Sequence, residues 1–213
     1  MRTSEQFRNM IKASGVIQIP GCYDCITATI VERAGFPAAY LTGSGISLTL
    51  SGIPDLNTIS YLELRQVVQN IRSAIQIPML VDIDTGFGAP LNLYRLTKEF
   101  EQLDIAAVQI EDQKVPKKCG HELGRRLVRD EEMVKRIRTI HENRLENGLV
   151  IVARTDARTV VGLDEAIRRG RLYLDAGADV IFVESPESYE EVKKIASRPL
   201  FWISRARSSC SPF

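Results

Sequence analysis

Asp175-Ala-Gly-Ala-Asp-Val-Ile-Phe-Val183 decides the fold: a small residue and a glycine end a helix, and an apolar strand follows at once. Glu32-Arg-Ala-Gly-Phe-Pro-Ala-Ala-Tyr-Leu41 repeats the plan, and Glu101–Gln109 repeats it without the glycine. Outward from these joints, short apolar runs alternate with amphipathic segments. The pattern predicts strands over Val16–Ile19, Ala38–Thr42, Met79–Asp82, Ala106–Glu111, Leu149–Thr155 and Val180–Glu184. It predicts helices over Ile26–Ala34, Tyr61–Ile75, Leu91–Leu103, Asp130–Asn147, Leu163–Ala176 and Tyr189–Ala196. Runs that are apolar throughout suit strands buried on both faces. Such alternation implies βα units on a parallel sheet. Near-equal units fit a (β/α)8 barrel or a doubly wound sheet. No GxGxxG follows the first strand, which weakens the dinucleotide-binding version.

Composition narrows the function classes. The 213 residues suit one domain or a fragment of a larger one, with 44% apolar and 26% charged residues. A net charge of +1 gives no electrostatic case for nucleic acid or an anionic membrane. No apolar stretch is long enough to span a bilayer, and the N-terminus lacks the apolar region of a secretory signal. Four cysteines in a chain of this length point to a reducing compartment. The cytoplasm is the expected location, with an organelle as the alternative.

Nearly every predicted strand ends in polar or ionisable residues: Asp24; Thr42, Gly43 and Ser44; Asp82 and Asp84; Glu111 and Asp112; Arg154 and Asp156; Glu184. One acidic strand end is ordinarily a helix cap. In a barrel, however, all the carboxyl ends share the face where active sites lie. Asp82-Ile83-Asp84-Thr85-Gly86-Phe87-Gly88 is the sharpest case, because residues two apart point to the same side. Two or three carboxylates without a His or Cys pair suit a hard, oxygen-liganded ion such as Mg2+ or Mn2+. Glu111 and Asp112 are expected to act through water.

Val115-Pro-Lys-Lys-Cys-Gly-His121 reads as a loop that places Cys119 between Lys117, Lys118 and His121. Adjacent cations stabilise a thiolate, which makes such a cysteine useful as a proton donor or nucleophile. Cys22 and Cys25 have redox or half-zinc-site spacing, but no second pair accompanies them, so they are read as apolar packing. His141 is read as a solvated helix residue.

The loop and the Asp82–Gly88 segment together resemble the isocitrate lyase/phosphoenolpyruvate mutase superfamily, above all its 2-methylisocitrate lyase-like branch. The resemblance extends to Pro20-Gly21-x-Tyr23-Asp24, Tyr40-Leu-Thr-Gly-Ser-Gly45, Gly52-Ile-Pro-Asp55, Gln109-Ile-Glu-Asp-Gln113 and Ala153-Arg-Thr-Asp-Ala157, covering roughly residues 5–196. It implies a (β/α)8 barrel, bound Mg2+, and a small 2-oxo or 2-hydroxy carboxylate as substrate. By the same resemblance, Asp82 and Asp84 hold the metal, with Glu111 in its outer shell and Asp55 nearby. Thr42, Gly43 and Ser44 form a loop that binds a substrate carboxylate, and Arg154 and Glu184 contact substrate. Cys119 and Gly120 lie on a mobile lid that closes over the substrate, which Gly120 and His121 contact. The phosphonate-forming mutases lack this cysteine, so its presence favours carbon–carbon cleavage of a methylisocitrate- or isocitrate-type substrate. Tyr40, or a water ordered by Asp55, is the candidate base. Cys119 is the expected proton donor, its thiol tuned by Lys117, Lys118 and His121. Oxaloacetate hydrolase and 2,3-dimethylmalate lyase are alternatives within the same family.

The resemblance stops near Pro199. Only 29 residues follow Glu184, whereas two further βα units need roughly 60. The expected organisation is a partial barrel of about six to seven βα units over 1–198, with a non-family tail over 199–213. A truncated, inactive remnant is therefore the competing reading. The homo-oligomer implied for the full-length form is in doubt for this chain.

Overall fold

A computed structural model describes residues 1–13, 15–120 and 122–197, together with the backbone of 201–203. The strands are β1 (Gly21–Cys22), β2 (Ala39–Leu41), β3 (Met79–Asp82), β4 (Ala107–Glu111), β5 (Val150–Thr155), β6 (Val180–Val183) and β7 (Phe201–Ile203). All pair in parallel, in the order β1-β2-β3-β4-β5-β6-β7. A doubly wound sheet needs a reversal of strand order, and none occurs here. The sheet is an arc of a (β/α)8-type barrel.

The helices are α1 (Thr3–Lys12), α2 (Cys25–Arg33), α3 (Gly43–Ser51), α4 (Tyr61–Ala74), α5 (Pro90–Gln102), α6 (Asp130–Asn143), α7 (Ala157–Val161), α8 (Leu163–Asp175) and α9 (Tyr189–Ala196). Several starts are fixed by side chains. Asp24 with Thr27 and Ser60 with Glu63 form capping boxes at α2 and α4. Pro90 opens α5, where a missing N–H costs nothing. Among the described residues, no helix is long and apolar enough to cross a membrane.

Strand parity separates two cores. Outward-facing Leu41, Val81, Val108, Ile151 and Ile181 join the helices in one cluster. Inward-facing Leu80, Ala107, Val150, Val152, Val180 and Phe182 form another, closed by Phe7 of α1. The inner face is thus apolar towards the strand starts, while its far end carries Tyr40, Asp82, Gln109, Glu111, Arg154 and Glu184. Register brings these polar ends side by side, pairing Asp82 with Gln109 and Glu111 with Arg154.

The structure corrects the sequence reading in three places. Val16–Ile19 is not a strand: pairing begins where Tyr40 N donates to Pro20 O, and β1 follows at Gly21–Cys22. The segment after Thr42 is a helix, not a loop. Thr42 Oγ1 accepts from Gly45 N at 3.1 Å, and Gly52 closes α3 at φ 66°. Finally, Phe201–Ile203 adds a seventh strand beside β6, with Ile181 opposite Phe201 and Val183 opposite Ile203. The sheet therefore runs past the boundary expected at 198. Residues 204–213 of the expected tail lie outside the described residues.

Candidate active site

At the carboxyl ends of the strands, Asp82 is held from two sides. Its Oδ1 accepts from Asp84 N at 3.1 Å, and its Oδ2 accepts from the Tyr40 hydroxyl at 3.1 Å. Gln109 Nε2 donates to Tyr40 Oη at 2.9 Å. Burial, then the Asp82 charge, push the Tyr40 phenol well above its ordinary range. The Tyr40 hydroxyl thus links Gln109 to Asp82 and orients that carboxylate.

Asp84 follows β3 in a left-handed conformation, φ 49°. A Cβ built on Gly43 would lie 3.2 Å from Asp84 Oδ1 and 3.4 Å from Asp82 Oδ2, so both carboxylates face the first turn of α3. Glycine admits this approach, and the partial positive charge of the helix start favours it. Ser44 follows in the same turn. Burial, then Asp82, lift the Asp84 carboxyl to about 7. Burial also drives Glu111 well above the usual range, although Arg154 pulls the other way. Arg154 Nη1 stands 3.5 Å from Glu111 Oε2, and Arg154 Nε stands 3.5 Å from Glu184 Oε2.

The loop bearing Cys119 lies across this cluster. A Gln113–Leu127 bridge closes its base. Lys117 Nζ stands 2.7 Å from Asp84 Oδ1 and also pairs with Asp55. Burial works against the Lys117 ammonium, but Asp84, Glu111, Asp82 and Asp55 outweigh it and raise its pKa. A Cβ on Gly120 would lie 2.5 Å from Arg154 Nη2 and 2.9 Å from Glu184 Cδ. The Ser185 hydroxyl donates to Gly120 O at 3.0 Å. Cys119 is half-buried and in no disulfide. Lys117 reaches the carboxylates, and Lys118 Nζ donates to Leu123 O at 3.1 Å. His121 lies outside the described residues.

The family model described as phosphoenolpyruvate phosphomutase matches residues 7–202. The chain belongs to this family. The chain is 43% identical to 2,3-dimethylmalate lyase of Eubacterium barkeri, covering 92% of this chain and 68% of that protein. It is 44% identical to 2-methylisocitrate lyase of Halalkalibacterium halodurans, covering 91% of this chain and 63% of the relative. The chain thus spans about two thirds, or somewhat less, of these relatives' length. A solved oxaloacetate acetylhydrolase superposes with TM-score 0.91 at 30% identity, covering 100% of this chain and 75% of that one. A phosphonopyruvate hydrolase solved with oxalate and Mg++ gives TM-score 0.81 at 29% identity, covering 93% and 69%.

The donor set of this phosphoenolpyruvate phosphomutase family member fits a hard cation. Asp82, Asp84 and Glu111 offer only oxygens, and neither Glu111 oxygen receives a hydrogen bond from the described residues. Lys117 already places one positive charge against Asp84. Among the described residues, no three metal-ligating side chains stand close enough to enclose an ion. One or two carboxylates completed by water and substrate oxygens is the usual complement for Mg2+.

Asp112 is a correction. It faces outward and accepts from Thr155 Oγ1 at 2.7 Å, Tyr173 Oη at 2.8 Å and Arg169 Nη1 at 3.2 Å, so it joins the sheet to α8 and not to the mouth. Asp24 is a helix cap. Cys22 is buried, and burial and then Asp24 push its thiol up to about 12, as its reading as packing implies. His141 is exposed on α6. Sequence reasoning missed Gln109, whose parity with Glu111 was the available signal, and Arg125, which pairs with Asp156 at 2.7 Å.

Proposed function

We propose that this chain carries the site of a Mg2+-dependent carbon–carbon lyase. Its substrate is a small 2-hydroxy di- or tricarboxylate of methylisocitrate or isocitrate type, cleaved to a 2-oxo acid and a dicarboxylate. The observation that carries the reading is the placement of the cysteine loop. Gly120 rests on Arg154 and Glu184, and Lys117 reaches Asp84, so Cys119 is borne by a lid over the carboxylate cluster. Relatives named as methylisocitrate and dimethylmalate lyases support the reaction class.

Asp82 and Asp84 would hold Mg2+, with Glu111 behind them; Mn2+ would suit the same donors. When bound, the ion lowers the pKa of a substrate hydroxyl and offsets carboxylate charge. Tyr40 keeps Asp82 oriented. Thr42 caps α3, so the N–H groups of Gly43 and Ser44 are available to a substrate carboxylate. Tyr40, or a water ordered by Asp55, takes the proton of the C2 hydroxyl. The C2–C3 bond electrons then pass to C3, and Arg154 stabilises the developing negative charge. Cys119 returns a proton to C3, while the lid excludes water.

The test is a panel of 2-methylisocitrate, isocitrate, 2,3-dimethylmalate and oxaloacetate, scored by release of pyruvate, glyoxylate or oxalate with MgCl2 present. Cys119→Ala is expected to lower kcat by ~10²–10⁴-fold with little change in KM. Turnover near the wild-type rate would remove Cys119 from the mechanism. Oxalate from oxaloacetate alone would reassign the substrate within the family.

A further inference from the structure

Asp156 holds two arginines with one oxygen. Its Oδ1 accepts from Arg154 Nη2 at 2.9 Å and from Arg125 Nη1 at 2.7 Å, while its Oδ2 accepts from Arg154 Nε at 3.1 Å. The cations come from different parts of the molecule. Arg154 lies on β5 at the site, and Arg125 lies on the returning limb of the lid, two residues before the Gln113–Leu127 bridge. Arg125 is buried and also donates to Thr159 Oγ1 at 2.6 Å. Asp156 is itself fixed, because its N–H donates to Asp112 Oδ1 at 2.9 Å. Burial works against the Asp156 anion, but Arg154 and Arg125 outweigh it and hold its carboxyl below the usual range.

At the other end of the lid, Gly120 packs on the same Arg154 guanidinium. Arg154 thus meets the lid directly at its tip and through Asp156 at its foot. A fully buried carboxylate is costly unless its charge is matched. Displacing either arginine leaves Asp156 under-paired and changes how firmly the other is held.

We propose that Asp156 is a positioning residue that makes the seating of the lid and the orientation of Arg154 one event. Arg125 anchors the lid's foot to the carboxylate that aims Arg154, so a seated lid and an aimed guanidinium occur together. This inference rests on reading residues 114–120 and 122–126 as a lid over Arg154, but its readout needs no turnover. A chain that cleaves none of the panel still reports lid seating, so failure of one reading does not decide the other.

The experiment is iodoacetamide labelling of the full chain, with rates taken peptide by peptide from mass spectra. Cys119 reports the lid, and buried Cys22 reports general loosening. Loss of a charge-assisted hydrogen bond at Arg125→Gln is expected to raise Cys119 labelling by about tenfold, with Cys22 unchanged. Arg125→Lys restores a cation without the forked grip on Thr159 and is expected to fall between the two. Arg154→Gln also raises Cys119 labelling, and coupling predicts that the double variant labels within about twofold of the faster single one. Wild-type labelling in Arg125→Gln overturns the proposal. Labelling of Cys22 in step with Cys119 does so too, as does a multiplicative double variant. Should Arg125→Gln fail to fold, Thr159→Val removes one hydrogen bond and is read in the same way, with about a threefold rise expected.

Discussion

Asp84 combines a left-handed backbone, near-complete burial and two neighbouring charges of opposite sign, Asp82 and Lys117. Its carboxyl is lifted from 3.8 to about 7 by burial first and Asp82 second. Between those pH values the native state holds a proton that the unfolded chain has released. Stability therefore falls as pH rises through this window, and the loss is complete above about 7. Thermal melts without divalent metal are expected to show a Tm decline from pH 5 to pH 7.5 that Asp84→Asn flattens. Added MgCl2 should restore more Tm at pH 7.5 than at pH 5, since a cation must displace that proton. An Asp84→Asn protein with the wild-type pH slope would show that another group sets it. Strand spacing put Asp82 and Asp84 on one side, whereas Asp84 lies past β3 with a left-handed backbone, and the two carboxylates meet instead at the first turn of α3. Parity also separates Glu111 from Asp112, but only once the strand is placed. What adjacency did not reveal was that Lys117 pairs with Asp55 and Asp84, residues 62 and 33 positions before it.

Elements built on long apolar or amphipathic runs lie where the sequence puts them: β3 at Met79–Asp82 and α9 at Tyr189–Ala196 agree to the residue. The illegible elements are those whose composition hides them. Gly43–Ser51 reads Gly-Ser-Gly-Ile-Ser-Leu-Thr-Leu-Ser, poor in helix formers, and becomes α3 through its caps. Helix α1 carries few apolar residues, and β7 adjoins a Ser/Arg-rich stretch that disguised it. Dependence on caps gives α3 a specific weakness. Thr42→Ala removes the oxygen that accepts from Gly45 N and is expected to cost about 1 kcal/mol in urea unfolding. Thr42→Ser, which keeps that oxygen, should recover most of it. Equal losses in the two variants would instead assign the effect to the threonine methyl, which would lie 3.0 Å from a Cβ at Gly21.

Across the whole molecule, one inner surface does two jobs, apolar at the strand starts and ionic at the strand ends. Barrels of this class place chemistry at the carboxyl ends and stability at the opposite face. Here that opposite face is closed by α1. Thr3 bonds Asp104, Ser4 bonds Asn147 O, and Arg8 bonds Asp179, so the helix is tied to loops that precede β4, β5 and β6. Phe7, 1% exposed, then fills the inner cluster with Leu80, Val150, Val180 and Phe182. No sequence period reveals this, because the contact joins residue 7 to strands as far along the chain as Phe182, 175 positions away. Phe7→Ala leaves a cavity that the short strands cannot close, and is expected to cost about 3–5 kcal/mol in urea unfolding. Phe7→Leu should cost under about 1.5 kcal/mol, since most of the volume stays filled. The site lies at the other end of the strands, so Phe7→Ala protein that remains folded should keep its kcat/KM to within about threefold. A stability loss below about 0.5 kcal/mol would mean that α1 covers the barrel without sealing it. A large fall in kcat/KM at intact fold would mean instead that packing at the floor sets the geometry of the carboxylates above.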